Sequence, residues 1–264
     1  MGRGSSKAGG GGGGAASNVL PPVTTQVVPP TPQQVAEGNV LPQGGIAFDD
    51  FEKMTDDEKA DVVEKALGVG VPLFLDDSGI QRFAYFTGMS DKPNVVSDAQ
   101  LDQMSGQQLF RTMNNAYNPR TDIGYTSKDI AKQISEGDFT MYSDSGRSAH
   151  GKAIYFADNY YDSSVYGDSS KAPSTMRAKI TGGKSISESA LSNQYHTALA
   201  RGDKLAKACS KADSSGARNL YGLAKGYDVI TPSGGYSSYY MVLNRRCLSV
   251  SSTIKKTNIG GSNW

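Results

Sequence analysis

Between Gly151 and Gly167 the chain reads Gly-Lys-Ala-Ile-Tyr-Phe-Ala-Asp-Asn-Tyr-Tyr-Asp-Ser-Ser-Val-Tyr-Gly. Tyrosines stand at 155, 160, 161 and 166, and serines at 163 and 164, beside a short apolar run. A core strand needs no such density of hydroxylated rings. A surface that stacks a flat ligand does, because aromatic faces bind planar rings while the phenol tips stay wet. Other chemistries find less support. Ser145, His150 and Asp158 can be assembled into a nucleophilic triad, but nothing in their spacing fixes a geometry, and they read as loop residues. No phosphate-cradling Gly-rich loop ending in Gly-Lys-Ser/Thr is present, no His-Glu-x-x-His and no Gly-x-Ser-x-Gly. The six-glycine run Gly9–Gly14 satisfies a dinucleotide fingerprint trivially, with no strand before it and no helix after it. Cys209 and Cys247 have no metal-ligand spacing; they could pair, but two buried thiols in a reducing compartment is the favoured reading. His150 and His196 are too few for a histidine-built metal site.

The run Gly151-Lys152-x-Ile154-Tyr155-Phe156-Ala157-Asp158, with Ser163 and Tyr166 following, resembles the signature strand and helix of the ADP-ribosyltransferase superfamily in its polymerase-like branch. Three further stretches extend the resemblance. Ala84-Tyr85-Phe86-Thr87-Gly88, then Leu101, then Leu109-Phe110-Arg111 is similar to the arginine-type toxin branch. Tyr227-Asp228-Val229-Ile230 and Tyr239-Tyr240-Met241-Val242-Leu243-Asn244-Arg245 resemble the closing strands, so the likeness covers roughly residues 80–250. It implies an NAD site in which Tyr155 and Tyr166 bracket the nicotinamide ring and Ser163 meets its amide. Arg111 would hold the phosphates and ribose, and Ser143 or Ser145 would orient the ribose or the arginine. Gly146 and Gly151 would give the carboxamide a close backbone approach. Arg111, Tyr155 and Tyr239 are then the catalytic candidates, with NAD as substrate and a protein as acceptor. The chain departs from the pattern at Tyr239, where the family keeps a glutamate. The only glutamate beyond residue 136 is Glu188. The resemblance therefore implies transfer of single ADP-ribose units, since chain elongation relies on that carboxylate.

The reaction has its own physical demands. Loss of nicotinamide passes through an oxocarbenium-like transition state, as in glycoside cleavage. Such a site needs a cation for the pyrophosphate, which an arginine supplies bidentately. It also needs aromatic faces for the leaving ring.

The elements that must position these residues are legible in outline. Thr55-Asp56-Asp57-Glu58 is a capping box, and Val62, Val63, Ala66 and Leu67 make an apolar face ending at Gly68. Asp77-Ser78 opens a second helix carrying Ile80, Phe83, Ala84 and Phe86, stopped by Gly88. Ser97 and Ser127 read as N-caps of two more, the latter helix ending at Gly137. Strands are expected at Phe139–Tyr142, Ile154–Ala157, Met176–Ile180, Tyr227–Ile230, Tyr239–Leu243 and Cys247–Val250, with a turn at Pro232–Gly235. Residues 187–224 read as helical, with Arg201, Lys204, Lys207, Lys211 and Arg218 on a solvated face. The fold class is α+β. Residues 46–108 form a helical part and 109–264 a mainly stranded part with helical insertions, arranged as an ADP-ribosyltransferase-like split β-sandwich.

Residues 1–45 hold eleven of the 31 glycines and six of the 11 prolines, with Arg3, Lys7 and Glu37 their only charges. Such a segment cannot bury enough apolar area to offset its ordering entropy, and it reads as a disordered Gly/Pro tail. A net charge of +1 gives no general field for nucleic acid or an anionic membrane. No apolar run of about 18 residues marks a transmembrane helix, and no signal peptide is recognisable. The expected location is a host cytoplasm or a bacteriophage particle. A second reading follows from the low-complexity start and Gly-rich body: a virion-associated structural protein with a degenerate, inactive form of the same fold, its partners other virion proteins.

Overall fold

The computed structural model describes residue 34 and residues 40–71, 78–89, 92–118, 123–136, 152–213, 216–234 and 239–259. Residues 40–45, expected in the tail, lie against the domain. Pro42 is buried, the Gly45 N–H closes a turn on its carbonyl at 2.9 Å, and the Ile46 N–H donates to Phe86 O.

Four helices lead. Helix α1 (Phe48–Glu52) lays Phe48 and Phe51 on Phe83. Helix α2 (Asp56–Gly68) starts at the expected reciprocal cap, in which Thr55 accepts from Glu58 N and Glu58 accepts from Thr55 N. Helix α3 (Gly79–Thr87) is capped by Ser78 and ends where Gly88 turns left-handed at φ 57°, a conformation a side chain would strain. After strand β1 (Asn94–Val96), α4 (Asp98–Gln103) begins at the Ser97 capping box. Strand β1 corrects the expectation of an all-helical stretch to residue 108. Three residues carry too little pattern to read as a strand.

Strands β2 (Gln108–Met113), β3 (Ala116–Asn118) and β4 (Ile123–Tyr125) precede α5 (Ser127–Glu136). The cap of α5 is Thr126, not Ser127. The Thr126 hydroxyl accepts from Asp129 N, and Asp129 accepts in return from Thr126 N. The expected strand at Phe139–Tyr142 lies outside the described residues. Strand β5 (Ile154–Ala157) has its expected bounds and leads into the short helix α6 (Tyr160–Ser164). Strands β6 (Ser174–Ile180) and β7 (Ser185–Ser187) follow, then helices α7 (Glu188–Ala200), α8 (Lys204–Ser210) and α9 (Ala217–Ala224). Strands β8 (Val229–Thr231), β9 (Tyr239–Val242) and β10 (Leu248–Lys256) close the described chain.

The fold is mixed helix and sheet, as expected of α+β. Eight strands run in the order β1-β10-β6-β2-β5-β9-β8-β7, with β3 and β4 as a separate hairpin. Both outermost pairings are parallel, and the pairings between them are antiparallel. The centre is a seam. Strands β2 and β6 share six registered pairs, and β5 and β9 share four, whereas β2 meets β5 through one pair, Phe110 opposite Ala157. The sheet thus divides into two four-stranded halves.

Helices α2, α3, α8 and α9 pack together around Val63, Ile80, Phe83, Leu205 and Leu220, all fully buried. The basic residues of 201–218 do more than face solvent. Lys204 and Lys211 pair with Asp57 and Glu64 of α2, and Arg218 pairs with Glu188 in partly buried surroundings. Cys209 and Cys247 are buried and unlinked, and burial pushes the Cys209 thiol up. A second polar anchor fixes α1. Arg246 donates from Nε to Asp228 Oδ1 at 2.8 Å and from its terminal nitrogens to both Glu52 oxygens, with its guanidinium over the Phe48 ring. Asp228, 2% exposed, also accepts from Lys184 N.

Candidate functional site

Strand β2 borders β5 and α6, which carry or lead into Tyr155, Ser163 and Tyr166, while Tyr239 lies one strand further on, on β9. The register puts Arg111 on the sheet face opposite Tyr155 and Tyr239. Arg111 lies on the β2 face that carries Leu109 and Met113, opposite Met176 of β6, all three buried. Its Nη1 donates to the Tyr155 carbonyl of β5 at 2.6 Å, so a guanidinium bridges the two halves beside their one registered pair. Thr112 points to the other face, toward α6. Its hydroxyl lies 2.9 Å from Ser163 Oγ and 2.8 Å from Thr175 Oγ1, which in turn lies 2.8 Å from Thr257 Oγ1. Asn114, just past the strand, donates from Nδ2 to Tyr166 O at 2.7 Å and accepts at Oδ1 from Asp168 N at 2.7 Å.

The β5–β9 register sets which rings share a face. Tyr155 stands opposite Met241, and Ala157 opposite Tyr239. Side chains alternate along a strand, so Tyr155 and Tyr239 lie on one face and Phe156 and Tyr240 on the other. Tyr166 follows α6, and its ring meets the Tyr239 ring edge-on, with centroids 5.4 Å apart and planes at 87°. That is a favoured aromatic geometry. Tyr166 remains 51% exposed. The ring partner seen for Tyr166 is therefore Tyr239, the residue at which the chain departs from the resemblance.

Ser163 is only 3% exposed, and its hydroxyl is engaged with Thr112 beneath α6. Contact with a carboxamide would require that hydroxyl to turn. Ser143, Ser145, Gly146 and Gly151 lie outside the described residues, as do Tyr142 and His150.

The electrostatics around Tyr239 are acidic. Burial first, then the hydrogen bond with Tyr166 and the charges of Asp162 and Asp158, push its hydroxyl well above the usual tyrosine range. Burial, with Asp158, raises Tyr240 as well. The Asn159 amide donates to both carboxylates, at 2.9 Å to Asp158 and 2.7 Å to Asp162. Among the described residues no group of three or more His, Cys, Asp or Glu could hold a metal ion, and no helix is long and apolar enough to cross a membrane. A shallow polar depression lined by Asp57, Gln194, Thr197, Arg201 and Lys204 lies among the helices and includes none of the site candidates.

Thr112, Asn114 and Asp162 carry no signal in the sequence that points to the site, and Asp158 is legible there only as a candidate triad residue and the end of the strand run. Asp158 and Asp162 sat within the stretch that was read, but their relation to Tyr239 depends on the β5–β9 pairing. No family model, curated protein or solved structure matches this chain.

Proposed function

We propose that this chain binds NAD and transfers single ADP-ribose units to a protein acceptor, on an ADP-ribosyltransferase-like split β-sandwich. One observation carries the reading. Along a seam joining two half-sheets by a single registered pair, Tyr155 and Tyr239 share a face and Tyr166 closes on Tyr239, while Arg111 meets the Tyr155 carbonyl from the opposite face. In the proposed reaction the bond between the ribose C1′ and the nicotinamide nitrogen breaks, and nicotinamide leaves with the electron pair. The cationic ribosyl carbon is then attacked by an acceptor nucleophile, which loses a proton. Tyr155 and Tyr166 supply ring faces for the leaving group, and Arg111 supplies positive charge for the pyrophosphate only by turning from its bond to the Tyr155 carbonyl on the opposite face. No carboxylate occupies position 239. Stabilisation of the ribosyl cation is accordingly weaker than in a glutamate-bearing site, and slow transfer or slow NAD hydrolysis is expected.

A second reading, a virion-associated structural protein whose fold is degenerate and inactive, is favoured by one feature. Tyr239 brings a ring where the family has an acid, and Tyr166 leans on that ring instead of standing clear. The two readings separate in a single experiment. Purified protein is incubated with labelled NAD and a bacterial lysate, beside calorimetric titration of wild type, Arg111→Ala and Tyr166→Ala. Labelled protein bands, and binding weakened by roughly 1–3 kcal/mol in Tyr166→Ala by analogy with base–aromatic stacking, support the transferase. A folded wild type that binds no NAD at millimolar concentration refutes it and leaves the structural reading.

A further inference from the structure

We propose that Asn114 is a positioning residue for Tyr166, and that through Tyr166 it sets the site's selectivity for ligands that carry a flat aromatic leaving group. The inference rests on the NAD-binding reading above. Tyr166 is the most exposed of the candidate ring residues and lies beyond the last residue of α6, where the helix no longer fixes its direction. The local backbone bonds there run back into the helix, from Tyr166 N to Ser163 O at 3.2 Å and from Gly167 N to Ser164 O at 2.9 Å. These leave the Tyr166 carbonyl and the Asp168 N–H to be satisfied from elsewhere, and one side chain does both. The amide orientation is forced, because a carbonyl can only accept and an N–H can only donate. Asn114 therefore grips the chain on both sides of Gly167, a residue whose own backbone is permissive. Asn114 is itself anchored, since it directly follows the last residue of β2, and β2 is registered along its length with β6. The grip holds the Tyr166 ring edge-on to Tyr239. Without it, part of the ring's stacking energy is spent on ordering 166–168 when a ligand binds.

The test compares NAD with ADP-ribose, which lacks the nicotinamide, by calorimetric titration of the full chain. Asn114→Ala is expected to weaken NAD binding about 5- to 20-fold, the scale of one or two lost hydrogen bonds, and to leave ADP-ribose affinity unchanged. Tyr166→Ala with Asn114→Ala should bind NAD no more weakly than Tyr166→Ala alone, because the two act through one ring. Asn114→Asp keeps the acceptor for Asp168 N but sets an oxygen against the Tyr166 carbonyl. It should show the same NAD-selective loss, and it decides the matter if the alanine variant fails to fold. Wild-type NAD affinity in both folded variants overturns the inference alone. So does an equal loss for ADP-ribose, or additive losses in the double variant. A wild type that binds neither ligand overturns the NAD reading and this inference with it.

Discussion

Replacing Tyr239 by glutamate places a carboxylate where the resemblance expects one, and the structure sets a definite cost on the change. Removing the ring forfeits the edge contact with Tyr166, about 1 kcal/mol. The new carboxylate would stand partly buried beside Asp162 and Asp158, the same burial and charge that push the Tyr239 hydroxyl up. Each unit by which these surroundings raise its pKa costs about 1.4 kcal/mol at neutral pH. Tyr239→Glu is therefore expected to be less stable than wild type by about 2–3 kcal/mol near pH 7.5, where the acid is charged. Tyr239→Phe keeps the ring, loses only the hydroxyl bond to Tyr166, and should lose under about 1 kcal/mol. The pH dependence identifies the electrostatic part. A carboxyl whose folded pKa is raised destabilises fully above that raised value, and the penalty vanishes as pH falls below the unfolded value of about 4.3. Urea titrations of wild type and both variants near pH 7.5 and pH 4 measure this. The Tyr239→Glu deficit should shrink to about 1 kcal/mol in acid, leaving the lost ring contact. A deficit that is the same at both pH values, or no larger than that of Tyr239→Phe, refutes the acidic surroundings assigned to this position. Nicotinamide release by the same variant reports whether a carboxylate there also speeds NAD cleavage.

Arg246→Ala removes the partner of Asp228, a nearly fully buried carboxylate, and should cost about 3 kcal/mol by chemical denaturation; a loss under about 1 kcal/mol would show that Asp228 is satisfied by the Lys184 N–H alone. The Arg246 hydrogen bond holds the Glu52 carboxyl below its ordinary 4.5, against the opposing effect of burial. The stability this confers is complete above pH 4.5 and is lost as pH falls through the lowered value, so Glu52→Gln should flatten that part of the acid-unfolding profile, and an unchanged profile would count against the pairing.

Helix starts were legible because capping is local. Thr55, Ser78 and Ser97 each bond a backbone N–H three residues on, a relation visible in sequence alone. Thr126 and Ser127 are adjacent hydroxyl residues, and only the bond to Asp129 N tells them apart. Strands β5 and β9 were legible because each is a dense apolar run flanked by small or polar residues. Strands β1, β3, β4 and β7 are three residues each, too short for a period of two to show. Strand β10 runs on to Lys256, well past the expected Val250, since its second half is held by pairing of Ile254–Lys256 with β6 rather than by apolar pattern. At the site, Arg111, Tyr155 and Tyr166 could be named only through the resemblance that their flanking motifs carry. Their mutual arrangement could not, because it depends on which strands neighbour which. Thr112 and Asn114 are ordinary polar residues until β2 is set beside α6.

The short outer strands bear on how copies of this protein can associate. The sheet's two rims are β1 and β7, each three residues long and preceded respectively by Pro93 and Lys184. A rim that short offers few unpaired backbone groups, and a proline or a lysine beside it hinders a foreign strand from docking. Among the described residues, strand addition directly onto β1 or β7 is hindered, while β10 beyond Ser251 is paired on its β6 side and not covered by β1. If this chain is built into a particle, joints across β1 and β7 would be made by side-chain surfaces, which a few point substitutions can break without disturbing the sheet.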